Sequence, residues 1–530
     1  MMRPMLAALL ALIALLAACA PAAEEPTLLV SLVADGRERT FSYQTPVTVE
    51  QFLQDSDITL TELDTVNPLP YTQITDGMRV TVVRVLEERY CEEEAVPFQR
   101  RTIPNEGLQP GEERLGQSGQ NGEMEICYRV QTRDGVPHDP VEISRTIITS
   151  PRDEVIYVGP SGQLDPVNVN GTIAYISNGN AWIMNDTSTT KRPLTTSGDV
   201  DGHVFRLSPD GRQLLFTRRA FNNSGDASTF NTLWLIPDTT IDAEPMELLP
   251  NNILYADWVP GSANTISYST AEARNTPPGW QALNDFWIMR LDPRTGEPLN
   301  VREVVEESSG GLYGWWGTDY QWSNSGDALA WIRADSMGTV NVDTGEHLPL
   351  LTYPVYNTFQ AWSWRATVSW SPDDDLLLTT VHGLPIGSEP AETSPAFHVA
   401  VTDTRGTFEA PIAQNAGIWA APKYSPEINA DGAEFPLGYV AYLRCRDFPN
   451  CISDSAQYDL YLADRDGSNP RRLYPPDGQS GLTQREFVWS PDGRQIAFLY
   501  QGNLWVIDIF SQVASQLTLD GGASSPVWAR

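Results

Sequence analysis

The stretch VWSPDG at residues 488–493 decides the fold, because closely similar stretches recur along the C-terminal two thirds of the chain. In most copies an aromatic residue stands shortly before a tight turn built on proline, glycine or both. The copies read FRLSPDG (205–211), DWVPG (257–261), QWSNSG (321–326), SWSPD (369–373), KYSP (423–426), VWSPDG (488–493) and VWAR (527–530). Their spacing of roughly 40 to 65 residues is typical of one four-stranded propeller blade per copy.

Further strand patterns follow each copy except the last. An apolar strand such as LLF (214–216) comes after the turn, and a third strand such as LWLI (233–236) comes after that. The count of copies predicts a mainly β fold that ends in a seven-bladed β-propeller. Six blades is the alternative, because the third strand of one copy, GTVNV at 338–342, has a weak pattern.

The two ends of this repeat region complement each other. The segments IAYI (173–176) and AWIM (181–184) have the pattern of a second and a third strand, but no first strand precedes them. The final segment, PVW at 526–528, has the pattern of a first strand with nothing after it. We expect these segments to share one sheet, which would close the ring and remove exposed sheet edges.

These repeated residues resemble the TolB-type propeller repeat. The resemblance covers about two thirds of the chain and implies a protein-binding or ligand-binding ring rather than a particular reaction. It leaves open an envelope-assembly scaffold similar to TolB, although the N-terminal region differs from that of TolB.

Two smaller modules precede the repeats. A hairpin, a short helix and a final strand across residues 27–85 predict a β-grasp, and the segments TVEQFL (48–53), DTVNP (64–68) and DGMRV (76–80) resemble the YabE-type ubiquitin-like module. The glycine-rich β pattern of residues 86–159 resembles the G-five domain. That resemblance implies an elongated β module, used in bacterial surface proteins either as a spacer or for binding cell wall or sugar.

The N-terminus has the pattern of an export signal. Arg3 precedes an apolar run at residues 5–18, which is too short to span a bilayer. The run ends in LAAC at 16–19, which resembles the bacterial lipobox and implies that Cys19 carries lipid. The expected domains are a signal peptide (1–18), a lipidated linker (19–26), the ubiquitin-like module (27–85), the G-five-like module (86–160) and the propeller (165–530).

Charge restricts the partners. With 68 acidic and 35 basic residues, the formal net charge is -33, which argues against nucleic acid as a ligand. We expect a monomer held by its lipid on the outer membrane or on the outer face of the cytoplasmic membrane, with peptidoglycan, another glycan or an envelope protein as its ligand.

The cysteines predict two disulfides. The chain has five cysteines, and lipidation of Cys19 would account for the odd one. We expect Cys91 to pair with Cys127 and Cys445 with Cys451, contributing about 4 and about 2 kcal/mol by loop closure. A zinc site built from these four thiolates is the alternative, but no CxxC spacing supports it.

No cofactor or metal centre is expected. The histidines are scattered and form no metal-binding spacing; they are His138, His203, His347, His382 and His398. A Gly-x-Ser-x-Gly nucleophile motif with a hydrolase region after the propeller is also missing from the sequence.

Tryptophans outside the repeated positions suggest a binding site. In a propeller, the loops that lead into the innermost strands open beside the central channel, and three successive leading loops carry such residues: Trp315, Trp316, Trp362, Trp364 and Trp419. Flat indoles stack on sugars and hold peptide side chains, so we predict a binding mouth here. The alternative is that long loops bury these aromatics as small satellite cores.

The sequence thus favours a non-catalytic binding protein of the cell surface or periplasm. A propeller glycoside hydrolase or lyase is the alternative, and a glycosidase would need two facing carboxylates at about 5 to 9.5 Å. Asp199, Asp201, Asp257 and Asp319 lie near the leading loops and are the acids whose arrangement decides this point.

Overall fold

A computed structural model describes residues 27–105, 108, 110–159, 162, 164–220, 229–428 and 436–530. The predicted signal peptide and Cys19 lie outside the described residues. The chain divides into two compact units, which are described separately: residues 1–95 with 123–148, and residues 96–122 with 149–530.

The elements of the N-terminal region come first in chain order. They are β1 (Leu28–Ala34), β2 (Arg37–Tyr43), α1 (Val49–Asp55), β3 (Thr65–Asn67), β4 (Arg79–Val83), β5 (Val85–Val96), β6 (Arg100–Pro104), β7 (Glu113–Gln117), β8 (Gly122–Arg133), β9 (Val136–Pro137), β10 (Val141–Thr149) and β11 (Glu154–Val158).

The first unit begins with the predicted β-grasp. Its sheet has the order β2-β1-β4-β3, in which β1 pairs antiparallel with β2 and parallel with β4. The helix α1 begins where the Thr48 hydroxyl accepts a hydrogen bond from the Gln51 amide, and it buries Phe52 and Leu53 against the sheet. The hairpin, helix and final strand confirm the ubiquitin-like prediction.

A second sheet completes the first unit, with the order β10-β8-β5 and β9 attached to β8. Strand β10 is exposed at every position, so this sheet buries little apolar surface. The disulfide between Cys91 and Cys127 joins β5 to β8, as the sequence predicts. The disulfide therefore supplies stability that the small apolar core of this sheet cannot provide.

The second unit contains a three-stranded sheet, β6-β11-β7, followed by the propeller. The strands of the propeller are β12 (Asn168–Ser177), β13 (Asn180–Thr187), β14 (Arg192–Pro193), β15 (Val200–Leu207), β16 (Leu214–Arg219), β17 (Asn231–Ile236), β18 (Met246–Leu248), β19 (Ile253–Trp258), β20 (Thr265–Ala273), β21 (Trp280–Ala282), β22 (Phe286–Leu291), β23 (Pro298–Val305), β24 (Asp319–Trp322), β25 (Leu329–Ile332), β26 (Ser336–Val340), β27 (His347–Thr352), β28 (Val368–Trp370), β29 (Leu376–His382), β30 (Phe397–Asp403), β31 (Glu409–Ala413), β32 (Lys423–Tyr424), β33 (Tyr439–Cys445), β34 (Tyr458–Asp464), β35 (Arg471–Tyr474), β36 (Phe487–Trp489), β37 (Gln495–Tyr500), β38 (Asn503–Asp508), β39 (Ala514–Gln516) and β40 (Ala523–Ala529). Short 3-10 helices occupy Ser188–Thr190, Gly314–Trp316 and Ala391–Thr393.

These strands form seven antiparallel sheets within the described part of residues 164–530. Six of them follow the chain in steps of four strands, from β15-β16-β17-β18 to β36-β37-β38-β39, with β21 as an extra strand on β20. The segment with the weak pattern contributes to β26, which pairs with β25 and β27. This topology confirms the predicted propeller architecture.

The repeated tryptophans connect neighbouring sheets. The indole nitrogen of Trp258 donates to the carbonyl oxygen of Arg206 at 3.2 Å, that of Trp370 donates to Gln321 at 3.0 Å, and that of Trp489 donates to Lys423 at 3.3 Å. In all three cases the acceptor stands one residue before the position equivalent to the tryptophan in the preceding copy. These rings are buried, so their contacts combine apolar burial with a satisfied polar group.

The two ends of the repeat region meet in one sheet of order β14-β13-β12-β40. Ile173 lies opposite Trp528, and Thr172 lies opposite Ala529. The Trp528 indole also donates to the carbonyl oxygen of Asn170 at 2.8 Å. The predicted joint between the two chain segments is therefore confirmed.

Gly171 allows a direct test of this joint. Its φ is +98°, and a Cβ atom there would press against the carbonyl oxygen of Ala529, whereas Gly279 has the same φ and open space around it. We expect Gly279→Ala to cost about 1 kcal/mol of unfolding free energy, from the backbone conformation alone. We expect Gly171→Ala to cost about 1 to 3 kcal/mol more, because it also forces β12 and β40 apart. Urea unfolding measures both, and equal costs would contradict a tight joint.

Candidate functional site

A cavity of about 640 Å³ opens among the innermost strands and their leading loops. We call it the central cavity. Its lining residues include Gly202, His203, Phe205 and Arg206 from around β15; Trp364, Arg365, Thr367 and Thr380; Ile418, Trp419, Ala421 and Lys423; Thr483, Arg485, Glu486 and Phe487; and Ser525, Pro526 and Val527 of β40. Its volume is typical of a site for a small molecule or the end of a chain.

Three of the predicted tryptophans, Trp315, Trp316 and Trp362, lie outside the set that lines the central cavity. Trp315 is 37% exposed and has the Arg274 guanidinium 6.0 Å from its ring. Trp316 makes an edge contact with Trp280, with ring centroids 6.1 Å apart. Both tryptophans of this leading loop therefore contact side chains of the preceding segment, Arg274 and Trp280, instead of lining the central cavity.

Trp362, Trp364 and Trp419 are close together. Trp362 stacks on Trp419 with ring centroids 5.3 Å apart, and Trp364 donates its indole hydrogen to the carbonyl oxygen of Ile418 at 3.2 Å. Trp364 and Trp419 line the central cavity, but Trp364 is only 2% exposed. It therefore acts chiefly as a core side chain in the cavity wall.

The ring of Trp419 is already in contact with other side chains. Besides Trp362, the Arg485 guanidinium lies over this ring at 4.6 Å, which is a cation–π distance. Both neighbours cover ring surface that a stacked ligand would use. Trp419 thus differs from the open stacking surface that the sequence analysis envisaged.

Basic residues are the part of the site that the sequence analysis missed. The central cavity is lined by Arg206, Arg365, Lys423 and Arg485, whereas Glu486 is the acid among its described lining residues. Arg206 and Lys423 stand one residue before the repeated large side chain of their copies. Because side chains alternate along a strand, that position faces the channel when the next one faces the core. This alternation was the signal that could have located them.

Two of the cations have acidic partners. Arg206 lies 3.3 Å from a carboxylate oxygen of Asp257, and Arg365 lies 2.6 Å from one of Asp319. Arg365 also donates to the carbonyl oxygens of Trp316 and Gly317. It thereby connects the leading loops that carry Trp316 and Trp364.

Lys423 and Arg485 are held by backbone oxygens instead. The Lys423 ammonium donates to the Phe487 carbonyl at 2.6 Å, and burial lowers the pKa of Lys423 to about 8, an effect to which Arg206 adds and which Glu486 opposes. Arg485 donates to the carbonyls of Ser453 and Asp454 at 3.1 and 2.7 Å, and burial lowers its pKa as well. Both cations are held at a cost in desolvation.

Three buried polar atoms of the cavity wall have no hydrogen-bond partner among the described residues: Thr380 Oγ1, Trp419 Nε1 and Arg485 Nε. Thr380 is 2% exposed, so its hydroxyl is buried. A buried polar group without a partner costs about 1 to 3 kcal/mol. Because these atoms are buried, a ligand in the central cavity would supply the missing partners only by shifting the side chains of the wall.

Each of the four acids near the leading loops interacts with its own basic or hydroxyl-bearing side chain. Burial alone would raise the pKa of Asp201, but hydrogen bonds from His203 and Thr217 have the larger combined effect, so the pKa is lowered. Asp199 lies 3.7 Å from Arg218, and Asp257 and Asp319 hold the arginines named above. Burial raises the pKa of Asp257, and Arg206 opposes that rise.

A disulfide supports one side of the cavity. Cys445 is bonded to Cys451, as predicted, and the Tyr458 hydroxyl donates to the Cys451 carbonyl at 2.7 Å. The loop that follows offers the carbonyls of Ser453 and Asp454 to Arg485. The disulfide thus fixes the segment that positions Arg485 over Trp419.

A metal centre finds no support at the cysteines. The candidate cluster that the described residues contain is Cys91, Glu125 and Cys127, and its two sulfurs are bonded to each other. A disulfide sulfur is not the thiolate that a metal such as zinc requires.

Comparison with known families identifies three segments. Residues 87–161 match the G5 domain, and residues 30–69 match the G5-linked ubiquitin-like domain. Residues 450–527 match the N-terminal region of dipeptidyl peptidase IV. The G5 match indicates an extracellular binding role and a place in the cell envelope. No curated protein matches the chain.

Solved structures that align with parts of this chain share little sequence with it. The tricorn protease aligns with 79% of this chain at 10% identity and a TM-score of 0.42, and the chain covers 43% of that protein. A putative TolB from Agrobacterium tumefaciens aligns with 63% of this chain at 14% identity and a TM-score of 0.32, with 96% of that protein covered. The G5 domain of IgA1 protease aligns with 15% at 20% identity and a TM-score of 0.13, with 94% of it covered.

Among the described residues, no helix is both long and apolar enough to cross a lipid bilayer.

Replacing Cys445 and Cys451 together by serine tests the supporting disulfide. We expect the double variant to lose about 2 kcal/mol of unfolding free energy, because the unfolded chain gains the entropy of an open loop. Every tryptophan of the chain lies in the second unit, so tryptophan fluorescence during urea unfolding reports on that unit alone. The matched control replaces Cys91 and Cys127, whose loss should leave this signal unchanged. An unchanged unfolding midpoint in the Cys445/Cys451 variant would contradict the role of this disulfide.

Proposed function

We propose that this protein is an exported, lipid-anchored binding protein of the cell envelope, and that its propeller holds a glycan, cell-wall or protein ligand in the central cavity without catalysing a reaction. The ubiquitin-like and G5 modules would connect the anchor to the propeller. The observation that carries the proposal is the group of unpartnered polar atoms in the cavity wall, formed by Thr380, Trp419 and Arg485.

The charges of the central cavity favour binding over glycosidase chemistry. A glycosidase needs one carboxyl group as acid and a second as base or nucleophile across the bond it cleaves. The described lining contributes Glu486 alone, and the Ser525 amide donates to its carboxylate at 2.5 Å. The nearby acids Asp257 and Asp319 form ion pairs with Arg206 and Arg365. Neither is therefore free to act as the second carboxyl group beside Glu486.

The side chains of Thr379 and Thr380 provide a test with a matched control. Neighbours on β29 point to opposite faces, so Thr380→Val removes the hydroxyl in the cavity wall and Thr379→Val removes one outside it. We expect Thr380→Val to bind its ligand about threefold to tenfold more weakly and to fold at least as stably, because it removes an unpartnered buried hydroxyl. Thr379→Val should bind as the unaltered protein does.

The ligand is to be sought by titrating the full-length protein against peptidoglycan fragments and a glycan panel, with calorimetry as the measurement. Trp419→Phe keeps an aromatic ring but removes the indole donor, so it should weaken the same binding. A ligand whose affinity is unchanged in both Thr380→Val and Trp419→Phe would place binding elsewhere and refute this use of the cavity.

The lipid anchor is tested at the motif LAAC, residues 16–19. We expect cells fed radiolabelled palmitate to label the protein and to retain it in the membrane fraction, because several acyl chains hold a protein far better than one. The Cys19→Ser variant should lose the label and leave the membrane fraction. Labelling that persists in this variant would disprove acylation at Cys19.

A further inference from the structure

We propose that the ligand of the central cavity is an anion, and specifically a short acidic oligosaccharide whose carboxylate binds to cations of the cavity lining, chiefly Lys423 and Arg485. This inference rests on the proposed function, because it names the chemical class that the same cavity would bind.

The lining of the central cavity is rich in positive charge, whereas the whole protein has a negative net charge. The chain carries 68 acidic and 35 basic residues, yet the cavity lining holds Arg206, Arg365, Lys423 and Arg485 against Glu486. Arg206 and Arg365 are balanced by Asp257 and Asp319. Of the remaining two cations, Lys423 interacts with the charge of Glu486 and Arg485 with that of Asp454, but neither forms an ion pair among the described residues. An anionic ligand would add the direct partner that both lack.

These two cations have donor capacity to spare. An ammonium has three N–H donors and a guanidinium has five. The ammonium of Lys423 donates to the carbonyl of Phe487, and the terminal nitrogen of Arg485 donates to two carbonyls while its Nε has no partner. A carboxylate accepts several charge-assisted hydrogen bonds and would match these donors.

The rest of the lining suits the hydroxyl groups of a sugar. Thr367, Thr483 and Ser525 are hydroxyl-bearing residues of the lining, and hydroxyl groups both donate and accept hydrogen bonds. Trp419 adds an indole N–H without a partner. Cations together with hydroxyls therefore favour an acidic sugar over an apolar ligand.

Size and charge also favour a short ligand over a long polyanion. A volume of about 640 Å³ admits a small molecule, and the acidic exterior would repel a long polyanion that runs across the surface. A short ligand inside the cavity is screened from that exterior, because charges interact weakly beyond about 8 to 10 Å in physiological salt.

The experiment is a calorimetric titration of the full-length protein with trigalacturonate and with a neutral galactose trimer. We expect trigalacturonate to bind and the neutral trimer to bind at least about tenfold more weakly, because the neutral sugar leaves the cations unmatched. Equal affinity for the two trimers would overturn the proposal. An acidic peptide that binds when trigalacturonate does not would overturn it as well.

Two cavity variants should change the affinity in opposite directions. Lys423→Met removes a charge and should weaken trigalacturonate binding about tenfold or more, whereas Glu486→Gln removes the opposing acid and should strengthen it about twofold to fivefold. A general loss of structure would weaken binding in both. The same sign of change in both variants would therefore overturn the proposal.

Lys191→Met is the matched control for Lys423→Met. Lys191 is also a buried lysine that donates to a backbone carbonyl, that of Leu517, and burial likewise lowers its pKa to about 8. It lies outside the residues that line the central cavity. Trigalacturonate should bind this variant as it binds the unaltered protein.

The pH dependence gives a second readout. The lowered pKa of Lys423 means that its ammonium loses its proton above about pH 8. The other charged or titratable groups of the cavity lining are His203, Arg206, Arg365, Arg485 and Glu486. Affinity for trigalacturonate should therefore fall as the pH rises from about 7 to about 9.5, and Lys423→Met should abolish that fall. An equal fall in the variant would assign the pH dependence to another group and count against Lys423 as a contact.

The outcomes also separate this proposal from the function on which it rests. If an uncharged glycan binds and Thr380→Val weakens that binding, the proposed function stands. The proposal that the ligand is an anion would then be overturned. Failure of every glycan, peptidoglycan fragment and envelope protein to bind the cavity would overturn both.

Discussion

The propeller depends on contacts between neighbouring sheets, and at three of these junctions the contact is a hydrogen bond from a repeated tryptophan to a backbone carbonyl of the preceding copy. It fixes the distance between neighbouring innermost strands at Trp258, Trp370 and Trp489. The acceptors are the carbonyls of Arg206, Gln321 and Lys423, and two of these residues, Arg206 and Lys423, also line the central cavity. The bond that joins the sheets therefore also sets the position of the two basic side chains, Arg206 and Lys423, that the central cavity uses.

The repeats could be predicted from sequence because their signal is local. A tryptophan followed by a tight turn, as at 488–493, requires no knowledge of the rest of the chain, and the complementary segments at 173–176 and 526–528 predicted the shared sheet. Both disulfides followed from the count and placement of the cysteines. The ubiquitin-like fold followed from a hairpin, a capped helix and a final strand. Each of these features is encoded within a short segment, or by the matching of two segments or two cysteines.

The composition of the cavity could not be predicted in the same way, because its contacts join distant segments. Trp419 meets Arg485 across 66 positions of the chain, and Arg485 is held in turn by the loop after Cys451. The tryptophans of the leading loops gave a strong pattern, but their neighbours decided their roles: Trp364 became part of the wall, and Trp315 lies beside Arg274. Loop conformation depends on such partners, which a repeat pattern does not contain.

The stability of the propeller also bears on how its cavity should be understood. Burial lowers the pKa of Lys423 and of Arg485, which means that the folded protein holds these charges less favourably than water would. Replacing such groups by apolar residues often leaves a protein equally or more stable, so stability alone does not explain their presence. Thr380 and Trp419 add unpartnered polar atoms to the same wall. Unfavourable groups that converge on one cavity are most simply explained by a ligand that restores their hydrogen bonds and balances their charge.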